Sequence, residues 1–359
     1  MKITQELLEL IESEVDAGYV RKKKHPVYPI NIYTYSQTAQ YEKRWNQATR
    51  LCRGLILDEE GVIIARPFEK FFNRSEHEAH EIPVHLDFKV YEKEDGSLGI
   101  IYHYDGKWNI STKGGFTSEQ AIKAEKMLYE MYPEAVEKMI PDNTYLTEII
   151  YPENRIVVDY HGQSKLILLS VIERCTGVEH ELDDFQNLGL PLVKRYGFKQ
   201  LGEIMQEQSM DREGYIVRFS NGFRYKEKFT EYLRLHRIVT EVSNKSIWEY
   251  LMSGNHDMNE ILDRVPDEFY DWVKKTKDEL VGKYKEIENA ALDSLAKVMT
   301  IIEHSDDPKV MKKNFAMEAQ KHPNPHLLFM MYNDKDYSEA IWKMVRPEFA
   351  RPFTKEEEQ

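Results

Sequence analysis

Cysteine is scarce: Cys52 and Cys175 are the only two in 359 residues. So sparse a pair does not make a disulfide framework, and both are expected to be reduced, buried thiols. No stretch approaches the ~20 consecutive apolar residues of a membrane-spanning helix, so no membrane association is expected. The opening "MKITQELLELIESEVDAGYV" lacks the apolar core of a signal peptide and has instead the spacing of an amphipathic helix. The cytoplasm is therefore the expected compartment. Gly/Ser-rich and Pro-rich linkers and internal repeats are missing as well, which predicts domains packed closely together. Positive charge is in deficit, 49 Lys and Arg against 62 Asp and Glu, for a net charge of −13. That balance argues against phosphate binding over the whole surface. It leaves room for a local basic cleft on an acidic body, which would still focus anions.

What is present is ample apolar content, 41% of the chain, enough to bury a core in about two domains. From about residue 50 to 230 the pattern is strands joined by tight turns. "CRGLILD" and "VIIARPF" flank "EEG", "GIIYHY" and "KWNIST" flank Asp105-Gly106, and "GYIVRFS" and "FRYKEKF" flank Asn221-Gly222. Asp-Gly and Asn-Gly are strong hairpin signals because both central positions of a type I′ turn need positive φ. One helical stretch interrupts the strands, expected to open on a Thr117 to Gln120 capping box and to be kinked or divided at Pro133. After about residue 240 the periodicity becomes helical, as in "DEFYDWVKKTKDELVGKYKEIENAALDSLAKVMTIIEH". The boundary is expected between residues 236 and 246, and the fold class is α+β.

The densest basic run, "RKKKH" at 21–25, is expected to be a solvated surface stretch. "FRYKEKF" is more informative. Period two places Arg224, Lys226 and Lys228 on one strand face and Phe223, Tyr225 and Phe229 on the other. Three cations in a row need open water or a polyanion. Glu213, at the start of the same hairpin, adds the carboxylate that a metal-triphosphate site would use. Lys93 stands before a turn in "KEDGS", and a lysine amine is a nucleophile only when deprotonated, so cations beside it would serve that chemistry. Other features carry less. "HEAHE" at 77–81 is not a zinc motif and is expected to be a surface loop. Ser97 has no Ser-His-Asp context and reads as a turn hydroxyl. Trp248, Tyr250, Trp272 and Trp342 are expected in a helical core rather than on an RNA-stacking platform.

"KEDGS" resembles the K-x-D-G lysine motif of the covalent nucleotidyltransferases, which include ATP-dependent ligases and mRNA-capping enzymes. Around it, "CRGLILDEEGVIIARPFEKFFN", "STKGGF", "LTEIIYPENRIVVDY", "EGYIV" and "YKEKFTEY" follow the order and spacing of the bacteriophage RNA ligase 1 family. "FAMEAQ" at 315–320 resembles that family's C-terminal helical domain. The resemblance implies a nucleotidyltransferase (adenylylation) domain of antiparallel sheets with flanking helices over residues 1–240, and an all-helical C-terminal domain over 241–359.

It further implies an ATP-dependent RNA ligase with Lys93 as the nucleophile that takes AMP from ATP, and with Asp95, Lys226 and Lys228 as further catalytic residues. The ATP site implied is Tyr35, Arg53 with Gly54, Lys70, Lys93, Gly96, Lys113, Glu148, Lys226, Lys228 and Tyr232. Glu148, Glu213 and Asp257 are implied for Mg2+ or Mn2+. Two departures stand out: the family's "SKGS" is "TKGG" here, and "SGNHDMNE" keeps only Asp257 where adjacent aspartates are expected. The implied partners are RNA 5′-phosphate and 3′-hydroxyl ends, with single-stranded DNA as an open second substrate, acted on by a monomer. RNA repair, of tRNA in particular, is the implied role, in the host bacterial cytoplasm if the protein is phage-encoded. A DNA ligase or a capping-type enzyme is the alternative, against which the strand-poor C-terminus argues, since both usually carry an OB-fold. A catalytically inactive nucleotide-binding module is the alternative of another class.

Overall fold

A computed structural model of the chain describes residues 2–209, 211–230, 232–233, 242–255, 258–262, 265 and 270–348. The chain divides into two compact units, Met1–Val239 and Thr240–Gln359.

The first unit opens on α1 (Gln5–Asp16), capped by Thr4, whose hydroxyl accepts from the Leu7 N–H at 3.3 Å. Ile11 of this helix packs on a sheet of β1 (Val20–Lys24), β2 (Ile30–Tyr35), β3 (Arg53–Asp58) and β4 (Ile63–Ala65). This sheet starts well ahead of the sequence's strand signals, for a physical reason. Every residue of β2 is buried, and β1, an edge strand, exposes all four of its basic residues, so neither strand alternates. "RKKKH" is thus an exposed edge, and Lys23 donates from Nζ to the Gly114 carbonyl at 2.8 Å.

The second sheet has the order β10-β9-β7-β8, from β7 (Ser97–Tyr104), β8 (Lys107–Thr112), β9 (Asn143–Ile150) and β10 (Lys165–Glu173). Two helices, α2 (Glu119–Met131) and α3 (Pro133–Lys138), cover it through Ala124, Leu128 and Ala135. Pro133 divides them, as its sequence position implies, because it cannot donate within a helix interior. The cap lies one residue later than expected: Ser118, not Thr117, accepts from the Ala121 N–H. The third sheet has the order β11-β6-β12-β13-β5, from β5 (Phe72–Asn73), β6 (Phe88–Lys93), β11 (Arg195–Tyr196), β12 (Gly214–Phe219) and β13 (Arg224–Lys228). Its pairings are antiparallel except β13 with β5.

Two hairpin turns differ in an instructive way. Asp105 and Gly106 both have positive φ, 50° and 73°, as a type I′ turn requires. At the other turn Gly222 has positive φ, 86°, but Asn221 does not, and the Gly222 N–H closes onto the Phe219 carbonyl at 2.9 Å. A three-residue loop ending in a left-handed glycine replaces the expected two-residue turn. Cys52 is buried and burial pushes its thiol up; Cys175 is only half-buried, short of the expectation.

The second unit is helical throughout its described residues: α4 (Asn244–Met252), α5 (Asn259–Leu262), α6 (Tyr270–Ile301), α7 (Pro308–Ala319), α8 (Pro325–Tyr332) and α9 (Ser338–Met344). Val298, Phe315 and Leu328 share one core. Trp248 and Trp342 are buried, and the Trp248 indole donates to the Trp342 carbonyl at 2.7 Å, so these aromatics serve packing. Tyr250 and Trp272 are half-buried. Among the described residues no helix is long and apolar enough to cross a membrane.

Candidate active site

Three neighbouring strands gather the candidate residues. β6 ends on Lys93, β12 begins at Gly214 and β13 ends on Lys228, and the register sets Gly214 opposite both lysines. Directly paired residues share a face. Lys93 and Lys228 therefore make one row, Tyr91, Ile216 and Lys226 the next, and Lys89, Arg218 and Arg224 a third. Val90, Val217 and Tyr225 point the other way, into a separate core.

Between the lysines lies Glu213, only 3% exposed. One carboxylate oxygen is 2.6 Å from Lys93 Nζ and the other 3.2 Å from Lys228 Nζ. The strands can pass so closely because the next residue is glycine. Gly214 has a φ of +153°, and a Cβ there would stand 2.1 Å from the Glu227 carbonyl oxygen and 2.7 Å from Lys228 Cα.

The loop after Lys93 is held from several sides. Asp95 is buried, and its carboxylate accepts from the Val157 and Val158 N–H groups at 2.9 and 2.8 Å and from the Tyr232 hydroxyl at 2.9 Å. The Tyr160 hydroxyl accepts from the Asp95 N–H at 2.7 Å and donates to Glu94 at 3.0 Å. Asp95, expected among the catalytic residues, thus has both oxygens engaged with protein donors, the arrangement of an anchor. Gly96 is forced by contact: a Cβ there would come within 2.6 Å of the Ile149 carbonyl oxygen and 3.1 Å of Glu148 Cγ. The loop therefore lies flat on β9 beside Glu148. Burial pushes the Glu148 carboxyl up to about 8, Glu213 and Asp95 push the same way, and Lys93 opposes them.

A second cluster forms on the first sheet. Lys113 Nζ lies 3.4 Å from the Tyr35 hydroxyl and 4.6 Å from the centre of its ring. Lys70, 2% exposed, sits 5.2 to 5.4 Å from the ring centres of Tyr35, Trp45 and Phe72. Gly54 has a φ of +98°, and a Cβ there would stand 3.3 Å from Lys113 Cα, so the Arg53-Gly54 pair is pressed against the lysine. Phe71 joins the two clusters: Arg53 lies 5.5 Å and Lys226 5.7 Å from its ring centre. Arg53 Nη1 is buried with no hydrogen-bond partner among the described residues, a donor available to a ligand.

The third cation of β13 behaves differently. Arg224 is ion-paired with Glu179, and its guanidinium lies 4.5 Å from the Phe68 ring centre, so it is packed rather than solvated. Asp257 lies outside the described residues. His77 of "HEAHE" packs between the Phe72 and Phe223 rings, at 5.9 and 5.0 Å, and is not a loop surface residue. Reading the sequence missed Tyr160 and the Trp45–Phe72 cage. "VVDY" carries no spacing signal, and aromatics scattered through the chain meet at Lys70 only through the fold.

A family profile described as RNA ligase matches residues 51–233, just over half of the chain. The RNA ligase of Rhodothermus phage RM378 is 24% identical, over 91% of this chain and 87% of the phage protein. A protein described as a bifunctional polynucleotide kinase/RNA ligase in Autographa californica nuclear polyhedrosis virus is 29% identical over 57% of this chain. The match spans only 34% of that viral protein's length. Among solved structures, an archaeal ATP-dependent RNA ligase covers 89% of this chain and 90% of its own, at 16% identity and a TM-score of 0.46. The matched region takes in Lys93, Glu148, Glu213, Lys226 and Lys228, and by it the chain belongs to the RNA ligase family.

Proposed function

We propose that the protein is an ATP-dependent RNA ligase whose covalent carrier is Lys93. The observation that carries this reading is the bridge of Glu213 between Lys93 and Lys228 across three adjacent strands, at 2.6 and 3.2 Å. A nucleophilic amine, a buried carboxylate and a second cation stand within one side chain's reach of each other. In the reaction, Lys93 gives a proton to an acceptor in reach, the Glu213 carboxylate at 2.6 Å, and its neutral Nζ bonds to the α-phosphorus of ATP as the bond to pyrophosphate breaks. The AMP then passes to an RNA 5′-phosphate, freeing the lysine. An RNA 3′-hydroxyl finally attacks that activated phosphate and AMP departs, leaving a phosphodiester. Every step is phosphoryl transfer, so positioning and charge neutralisation supply the rate. Lys226 and Lys228 are read as grips on the α-phosphate and leaving group, and Arg53, Lys70, Lys113 and Tyr35 as the wall for the outer phosphates. Tyr232 and Asp95 fix the loop, and Gly96 gives it room.

A divalent cation fits the same residues. Glu213 disfavours the charged form of Glu148, a conflict that Mg2+ or Mn2+ would relieve, and such ions take one or two protein carboxylates with substrate phosphates completing the shell. When bound, the metal would neutralise charge on the phosphates.

Residues 1–240 are read as the adenylylation domain and 241–359 as a helical domain of separate role, in a monomer that repairs RNA. Two free thiols support a reducing cytoplasm. Incubation with α-labelled ATP and magnesium, followed by peptide mass spectrometry, tests the proposal. AMP is expected on the peptide containing Lys93; label on another lysine refutes the assignment.

A further inference from the structure

The third row of the sheet is not explained by the chemistry at Lys93. Arg218 and Arg224 stand at the far end of β12 and β13, both ion-paired with Glu179. Beside them a cavity of about 370 Å3 opens where the 66–72 segment passes the tip of the β12–β13 hairpin. Its lining carries five permanent cations, Arg50, Arg66, Lys70, Arg218 and Arg224, against two carboxylates, Glu69 and Glu179. In a chain of net charge −13 this is the local basic cleft that composition leaves open.

Aromatic rings interleave with the cations. Trp45, Phe72, His77 and Phe223 follow one another at centroid distances of 5.4, 5.9 and 5.0 Å, from the Lys70 cage to the hairpin tip. One polar atom of the lining, His77 Nε2, is buried without a hydrogen-bond partner among the described residues. Buried polar atoms are seldom left so, and a ligand would satisfy it. Guanidinium groups hold phosphate and aromatic faces hold bases, the combination used for single-stranded nucleic acid. The volume is at the low end for a ligand site, the size of one nucleotide unit rather than a duplex.

We infer that this cavity holds the terminal nucleotide of the 5′-phosphorylated RNA strand, an assignment that rests on the ligase reading above. A terminal phosphate monoester brings close to two negative charges, which suits a lining with three cations in excess. A 3′-hydroxyl end brings none at its terminus. Phe71, shared by Arg53, Arg224 and Lys226, places the cavity next to the cations read as phosphate grips.

The experiment uses full-length protein, first adenylylated with ATP, then mixed with a 5′-phosphorylated oligoribonucleotide to follow AMP transfer. Arg50 is exposed and Phe223 half-buried, so Arg50→Glu and Phe223→Leu leave the fold intact. Arg50→Glu is expected to raise the RNA concentration at half-saturation about tenfold and to reduce the slope of its salt dependence by about 0.7, the loss of one single-strand phosphate contact. Phe223→Leu is expected to weaken binding severalfold with the salt slope unchanged. Both are expected to adenylylate Lys93 at the wild-type rate, and a 5′-hydroxyl oligoribonucleotide to compete equally weakly against wild type and Arg50→Glu. Unchanged half-saturation and salt slope in both variants overturn the inference, and so does an equal loss of self-adenylylation, which would assign the cavity to ATP. Failure of the wild-type protein to label at all would defeat the ligase reading itself.

Discussion

Replacing Glu148 with glutamine isolates the electrostatic cost of building this site. The folded protein holds the Glu148 carboxyl at about 8, against about 4.5 in the unfolded chain, chiefly through desolvation. A folded pKa above the unfolded one means that the folded state favours the protonated acid. Its stabilising contribution is complete below about pH 4.5 and is lost as pH rises toward 8. At about 1.36 kcal/mol per unit, a shift of this size sets a ceiling of roughly 5 kcal/mol. Water reaching the half-buried side chain lowers the expected effect to about 2 kcal/mol. Glutamine has nearly the same shape and no titration. Urea unfolding of both proteins at pH 5, 7 and 8.5 is therefore expected to show Glu148→Gln gaining about 2 kcal/mol on wild type across that range. Magnesium should flatten the wild-type curve by compensating the carboxylate. Parallel pH profiles for the two proteins would refute the argument that desolvation of Glu148 governs its charge.

Lys93→Ala is expected to abolish ATP-dependent joining yet retain some sealing of pre-adenylylated RNA, measured with ATP omitted; wild-type ATP-dependent activity in that variant would refute the covalent mechanism. Lys228→Ala removes one partner of the buried Glu213 and is expected to cost about 3 kcal/mol in urea unfolding besides most self-adenylylation, because a desolvated carboxylate is left with one partner fewer. Stability equal to wild type would show that solvent replaces the lysine. Gly214→Ala drives a Cβ into the Glu227 carbonyl at 2.1 Å, so β13 must move, and a loss of about 1–3 kcal/mol with slowed adenylylation is expected. An alanine variant as stable and active as wild type would mean that the strands yield more easily than their backbone contact implies.

Much of the site is legible in the sequence because its parts are local. "KEDGS" is a strand end and a turn, and period two in "FRYKEKF" puts Lys226 and Lys228 on one face as the register confirms. The face rule fails to say what each cation meets. Arg224 obeys the alternation and is nevertheless diverted to Glu179, a residue brought there by a distant part of the chain. The first sheet was hidden for a similar reason: strands buried on both faces or exposed on both leave no alternation to read. Tyr160 and Asp95 meet across 65 residues of sequence, and only closure of the second and third sheets makes that contact. The acidic composition conceals the basic cavity because charge counts do not register position.

Asp95 offers the sharpest separation of anchoring from chemistry, since the two roles respond differently to asparagine. One oxygen accepts from two backbone N–H groups and the other from the Tyr232 hydroxyl. In Asp95→Asn the carbonyl oxygen keeps both backbone donors, and the amide turns toward Tyr232, whose hydroxyl rotates from donor to acceptor. All three contacts survive in weaker form, at a cost of about 1 kcal/mol. Asp95→Ala leaves two buried N–H groups unpaired and costs about 3 kcal/mol. If Asp95 acts by holding the loop, asparagine keeps most of the self-adenylylation rate and alanine loses it together with stability. If its charge acts on the reaction, asparagine loses the rate while stability stays within about 1 kcal/mol of wild type. Single-turnover adenylylation and urea unfolding on both variants decide between these patterns, and an inactive, stable Asp95→Asn would overturn the anchoring role drawn from its hydrogen bonds.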